Sequence, residues 1–305
     1  MGTDLKTDSA LEARIAAGKF AVTAEIGPPK SADPQVVRRK AAELAGLVDG
    51  ANVTDNQTAT VRMSSIAGAV IAKEAGIDPI IQVTCRDRNR IGIQSDVLGA
   101  AGLGLHNVLC MTGDPAKVGN HPDAKDVFDL NTGQLITMFR DMRDHKRFLN
   151  GEEMRVPPRF FVGGTASPMG SSSEREWGRL SEKVAAGVDF VQSQFVYDPA
   201  QFRVFMERFV SEGLAEHTAF LAGVGPLRSL SQAQHMSGIP GVVIPEQVLQ
   251  RMAGAGDPQR EGMDICLEVM AELRRIPGVS GVHIMAVGQE DVVPDLIKAA
   301  KLRDE

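Results

Sequence analysis

Two hydrophobic periods alternate along the chain, and the change from one to the other recurs eight times. Short apolar runs rich in β-branched residues predict strands at 19–26 (KFAVTAEI), 50–54, 79–85 (PIIQVTC), 107–112, 159–163, 188–194, 219–224 and 279–287. Between them, apolar residues return at helical spacing. Val36, Val37, Leu44 and Ala45 follow Asp33-Pro34, a capping side chain with proline in the first turn. Ile66, Val70 and Ile71 mark a second helix, 92–103 a third, and Leu135, Ile136, Phe139 and Met142 a fourth. Trp177, Leu180 and Val184 mark a fifth. After Asp198-Pro199-Ala200-Gln201, which reads as a capping box, Phe202, Phe205, Met206 and Phe209 form one stripe. Two helices are predicted before the eighth strand. One lies near 245–252; the other opens at Asp257-Pro258 and runs through Ile265, Val269 and Leu273. A final helix holds Val292, Leu296 and Ile297.

Eight β-then-α units predict an α/β fold: a (β/α)8 TIM barrel with extra helices between strands 7 and 8. No linker or low-complexity run divides residues 1–305, so one domain is expected. Apolar residues make up 43% and charged residues 24%, a globular balance. The net charge of -6 and the absence of a long basic stretch argue against nucleic acid. Cys85, Cys110 and Cys266 have neither disulfide-framework nor zinc spacing and read as reduced core residues. The polar start, 1–10, lacks a leader pattern, and no apolar run reaches the roughly 20 residues of a bilayer span. A cytoplasmic, homo-oligomeric protein with no membrane contact is the expectation.

Active sites of such barrels lie where strands end. Read there, the chain offers Glu25 before Gly27-Pro28-Pro29, then Thr54-Asp55-Asn56-Gln57, then Gln82, Thr84 and Asp87. Thr112-Gly113-Asp114, Gly163-Gly164-Thr165, Gln194, Gly225-Pro226 and Gln289 complete the rim. Carboxylates, several amides and hydroxyls, and glycines that admit close backbone approach suit a neutral, planar, hydrogen-bonding ligand. GxGxxG after a strand, a Walker loop, HExxH and GxSxG are all missing, and the six histidines are scattered, so no metal site is expected.

On these residues the chain resembles the methylenetetrahydrofolate reductase family over nearly its whole length. The matching pieces are Ala24-Glu25-Ile26-Gly27-Pro28-Pro29, Asn52-Val53-Thr54, Gln82-Val83-Thr84-Cys85, Thr112-Gly113-Asp114, Lys183 with Ala186-Gly187, Gln194-Phe195 and Gly223-Val224-Gly225-Pro226. NVTDNQ, TCRDRNR and the late VPD look most like the short reductase subunits of acetogen-type bacteria. The resemblance implies flavin-dependent reduction of 5,10-methylenetetrahydrofolate to 5-methyltetrahydrofolate. Glu25 matches the general acid and Asp114 a carboxylate between flavin and pterin, both catalytic and both at the substrate. Thr54, Gln82, Thr112, Gly113, Asp114, Thr165, Glu176 and Lys183 match flavin-contacting positions, with Asp55, Asn56 and Gln57 beside them. FAD is favoured over FMN. Gln194, Leu230 and Gln289 match folate-binding positions. The family often has arginine at 112, histidine at 82, tyrosine at 165, an aromatic at 230 and an arginine at 289. The losses at 230 and 289 take away stacking and charge, so NAD(P)H is weakened as electron donor and an electron-delivering partner subunit is implied. Two other readings stay open: a flavin-free pterin-binding methyltransferase-type barrel, and a non-catalytic subunit of a larger complex.

Overall fold

A computed structural model describes residues 5–169, 173–286 and 288–303. Eight parallel strands pair each with the next and the last with the first, closing a barrel. They are β1 (Ala21–Ile26), β2 (Gly50–Val53), β3 (Pro79–Thr84), β4 (Asn107–Met111), β5 (Phe161–Ala166), β6 (Phe190–Phe195), β7 (Ala219–Val224) and β8 (Val279–Ile284). The helices between them are α2 (Pro34–Leu44), α3 (Ser65–Glu74), α4 (Arg90–Gly102), α5 (Thr132–Asp144), α6 (Ser173–Ala185) and α7 (Pro199–Ser211). β7 and β8 are separated by α8 (Leu230–Met236), α9 (Glu246–Gly254) and α10 (Pro258–Leu273); α1 (Ala10–Ala16) precedes the barrel and α11 (Val293–Ala299) follows it. No helix among the described residues is long and apolar enough to cross a membrane.

The caps do what their chemistry requires. Asp33, Asp198 and Asp257 accept the backbone N–H groups of Gln35, Gln201 and Arg260, each followed by proline at the first helical position. A reciprocal capping box forms at Asn131 and Gln134. At Asp198 only the aspartate half is made. Most of the core lies between the strands and the helices, including Phe139, Phe160, Phe202, Phe209 and Phe220. A separate apolar plug of Leu11, Ala21, Ile80, Leu109, Phe161, Phe190 and Leu221 fills the foot of the barrel. α1 supplies Leu11 to that plug, and its capping Ser9 also hydrogen-bonds Asn107 at 2.6 Å.

Several sequence expectations are corrected. The fifth strand runs to Ala166 instead of stopping at Gly163, so Thr165 is a strand residue. The glycines there lie inside the strand and not at its end: a Cβ on Gly163 would lie 2.3 Å from the Phe190 ring, so the position must be bare for the plug to close. Three helices, not two, stand between β7 and β8; α8 is short and polar, capped by Ser229, and gave little apolar signal. α1 was unforeseen for the same reason, since Leu11 and Glu12 are its only buried residues. β1 begins at Ala21 and β6 at Phe190, each two residues later than expected, while β2, β3 and β4 each end one residue early. β8 ends at Ile284; the expected end at Val287 lies outside the described residues.

Candidate active site

At the carboxyl ends of the strands lies a cavity of about 210 Å³ lined by Glu25, Asn52, Gln82, Leu109, Met111, Thr165, Ala166, Ser167, Gln192, Ser193, Gln194, His283 and Met285. Larger clefts occur at the barrel foot, against the amino ends of strands, and on the outside between α7, α9 and α10. Alternation along β1 places Glu25, two residues beyond Thr23, on the inner face. On β6 the register shifts between Gln192 and Phe195, and Gln192, Ser193 and Gln194 all line the cavity.

Glu25 is half-buried at the rim. Burial and the Glu290 carboxylate push its carboxyl up to about 7, against the pull of Lys40. Lys40 reaches from α2 to the carbonyl of Gly27 at 3.4 Å and to Glu290 at 3.6 Å. Among the described residues no donor hydrogen-bonds to the Glu25 carboxyl. The floor beneath is a buried polar layer of Thr23, Asn52, Gln192 and His283. Burial holds the His283 imidazole neutral, its pKa driven down to about 3.

The wall over β2, β3 and β4 is made by two loops and one arginine. Arg86, 3% exposed, donates to the carbonyls of Asp114 at 3.0 Å and Asn56 at 3.2 Å, and pairs with Asp87 at 2.6 Å. Asn56, Thr58 and Ala59 all hold left-handed backbone in the first of these loops. A Cβ on Gly119 in the second loop would lie 1.8 Å from the carbonyl oxygen of Ala59, so the two loops touch backbone to backbone.

The sequence model of one family, described as methylenetetrahydrofolate reductase, matches residues 10–301. The chain belongs to that family. Methylenetetrahydrofolate reductase 2 of Schizosaccharomyces pombe is 23% identical over 252 residues, which cover 80% of this chain and 39% of that protein. The 5,10-methylenetetrahydrofolate reductase of Pectobacterium carotovorum is 20% identical over 291 residues, 90% of this chain and 88% of that one. The chain thus spans about two fifths of the yeast relative's length and most of the bacterial one's. A Clostridium thermocellum protein whose structure is described as binding two copies of 5-methyl-5,6,7,8-tetrahydrofolic acid shares the fold. The two superpose with a TM-score of 0.67 at 16% identity, covering 96% of this chain and 97% of that one.

The cavity brings together four of the residues singled out in the sequence: Glu25, Gln82, Thr165 and Gln194. The rest stand around it. Thr54 donates to Gln57 at 2.6 Å, and Asp55 accepts from the Thr84 amide and hydroxyl and from Arg88. Asn56 bonds Asp87 at 3.2 Å. Thr112 pairs with Thr132, Gly113 takes a left-handed turn at φ 85°, and Asp114 is exposed on the loop beyond. Glu176 pairs with Arg179, and Lys183 gives its ammonium to the Thr165 carbonyl. Leu230 packs into a satellite cluster with Phe195, Tyr197 and Met236, and Gln289 donates to the Pro226 carbonyl at 2.8 Å.

Members of this family generally bind a flavin. The donor set of the cavity fits the ring of one. Gln82 is buried at the wall, and no described residue hydrogen-bonds its side-chain amide, which leaves that group for a ligand edge. Leu109, Met111 and Met285 give the cavity an apolar side. Lys183 already gives one of its three N–H groups to the Thr165 carbonyl. Sequence reasoning assigned no role to Asn52, Gln192 and His283. The available signal was parity: each is a polar residue in an apolar strand, and Asn52 and Gln192 stand two places before a rim residue.

Proposed function

We propose that this protein carries out the flavin-dependent reduction of 5,10-methylenetetrahydrofolate to 5-methyltetrahydrofolate. The observation that carries the reading is a carboxyl on the first strand, half-buried and pushed up to about 7, set beside the unpartnered side-chain amide of Gln82 in a chain of this family. Gln82, Thr165 and the backbone at Thr112-Gly113 would hold the flavin ring, with FAD favoured over FMN. A bound flavin would supply the hydride.

The chain's own residues would do the rest. The methylene group bridges N5 and N10 of the folate and must open to the N5 iminium before it can accept hydride. Glu25, protonated near neutral pH, would place its proton on N10 as that bond breaks. Gln194 would fix the pterin edge through its side-chain N–H groups. Asp114, swung in from its loop, would bind the pterin and set the charge near the ring. Leu230 offers no aromatic face to a nicotinamide, which supports electron delivery by a partner protein.

The experiment is single-turnover reoxidation of the reduced holoenzyme by methylenetetrahydrofolate. Glu25→Gln is expected to retain flavin and lose about 10²-fold or more in rate. A rate near wild type would remove Glu25 from the chemistry.

A further inference from the structure

Barrels of this kind ordinarily fill their interior with branched aliphatic layers. Here the middle layer is polar. Thr23, Asn52, Gln192 and His283 come from β1, β2, β6 and β8, and none is more than 3% exposed. Matching donors to acceptors closes the set. The Asn52 amide gives one hydrogen to Gln192 Oε1 at 2.7 Å and the other to His283 Nε2 at 3.3 Å. Gln192 gives its two to Asn52 Oδ1 and Thr23 Oγ1, both at 3.2 Å. His283 Nε2 therefore accepts, and its proton sits on Nδ1, donated to Thr23 Oγ1 at 3.0 Å. The Thr23 hydroxyl reaches the Val282 carbonyl at 3.4 Å. Every amide and imidazole hydrogen is used within the layer, the Thr23 hydroxyl hydrogen goes to a backbone carbonyl, and the imidazole must be neutral for the pattern to hold.

Asn52 is the register partner of Glu25 across β1 and β2, and both line the cavity. The other ionisable groups around Glu25 are accounted for. Lys40 on α2 and Glu290 after β8 pair with each other. Asp55 at the end of β2 is bound by Arg88 and Thr84. His283 on β8 belongs to the layer below. We propose that His283 is a positioning residue for Glu25: by drawing the second amide hydrogen of Asn52 inward, it leaves the acid beside an amide that has no hydrogen to give it.

The physical consequence is direct. A donated hydrogen bond favours a carboxylate over its acid and lowers its pKa. An Asn52 amide released from His283 can turn toward Glu25, and the acid then loses its proton at lower pH. The proposal rests on the reading of Glu25 as the proton donor, but its test does not depend on turnover. The Glu25 carboxyl is followed by carbon NMR in glutamate-labelled holoenzyme, with the resonance assigned by its loss in Glu25→Gln. His283→Leu removes the acceptor and is expected to lower the Glu25 midpoint by about one pH unit or more. His283→Gln restores a neutral acceptor and is expected to titrate like wild type. Gln192→Leu frees the other amide hydrogen, should shift the midpoint in the same direction, and serves if His283→Leu does not fold. An unmoved midpoint in a folded His283→Leu or Gln192→Leu protein overturns the proposal, as does a His283→Gln shift equal to that of leucine. If instead Glu25→Gln turns over normally, the acid assignment fails while the titration still decides this one.

Discussion

Glu25 carries the most displaced carboxyl ionisation in the cavity, and the proposed reaction turns on it. Its carboxyl titrates near 7 instead of its ordinary 4.5, because burial and Glu290 both disfavour the charged form. In the proposed reaction the protonated form is the proton donor, so that step should be fastest at low pH and fall as pH rises through about 7. Glu290→Gln removes the like charge and should move that fall to lower pH; a single-turnover pH profile measures it, and an unchanged midpoint would dismiss Glu290 as a contributor. Asp114 is a different kind of residue, exposed on its loop with its backbone held by Arg86. If it comes to lie near the bound ring, Asp114→Asn should make the flavin easier to reduce and weaken folate binding, since a nearby negative charge opposes an anionic reduced form. A midpoint potential equal to or below that of wild type would place Asp114 elsewhere. Glu25 and Gln194 were legible in the sequence because each is a polar residue next to the carboxyl end of an apolar strand. Asp114 was legible as a candidate, but the sequence could not say how far its loop stands from the cavity, since loop geometry depends on contacts such as Arg86 that no local pattern announces.

At the scale of elements, strand ends supply the chemistry and loops supply its walls. Arg86 ties the loops after β2 and β4 together from the end of β3, with one guanidinium serving two backbone carbonyls and a carboxylate. Arg86→Met should therefore cost about 2 kcal/mol, the usual penalty for leaving buried carbonyl acceptors unpaired, since Asp87 itself is exposed to water. It should also raise hydrogen exchange in both loops while sparing β6 to β8. Denaturant unfolding with exchange mass spectrometry measures both effects, and equal exchange across the barrel would show that Arg86 is not a local clamp. The elements themselves were readable wherever a proline-capped helix or a β-branched run spoke for them. The failures share one cause. α1 and α8 carry few buried apolar residues, and β5 contains paired glycines that look like a strand end until the Phe190 ring is seen to need the space. Tertiary packing decided those three, and nothing within a local window encodes it.

For the molecule as a whole, the closed barrel, its strand order and the position of the site followed from eight repeats of one pattern, and the fold agrees. The polar layer inside it did not follow, because its members are far apart in sequence and only ring closure brings β1, β2, β6 and β8 to a common centre. The foot of the barrel is also shut, by the apolar plug and by Leu11 of α1. A shut foot makes the barrel a vessel with one door. Whatever is seated on its floor shows a single side to the outside, and reductant and folate must present themselves to that same side. They must then take turns, each departing before the other arrives. Initial-rate measurements with both varied should give parallel double-reciprocal lines, and intersecting lines would show that the vessel admits two guests at once.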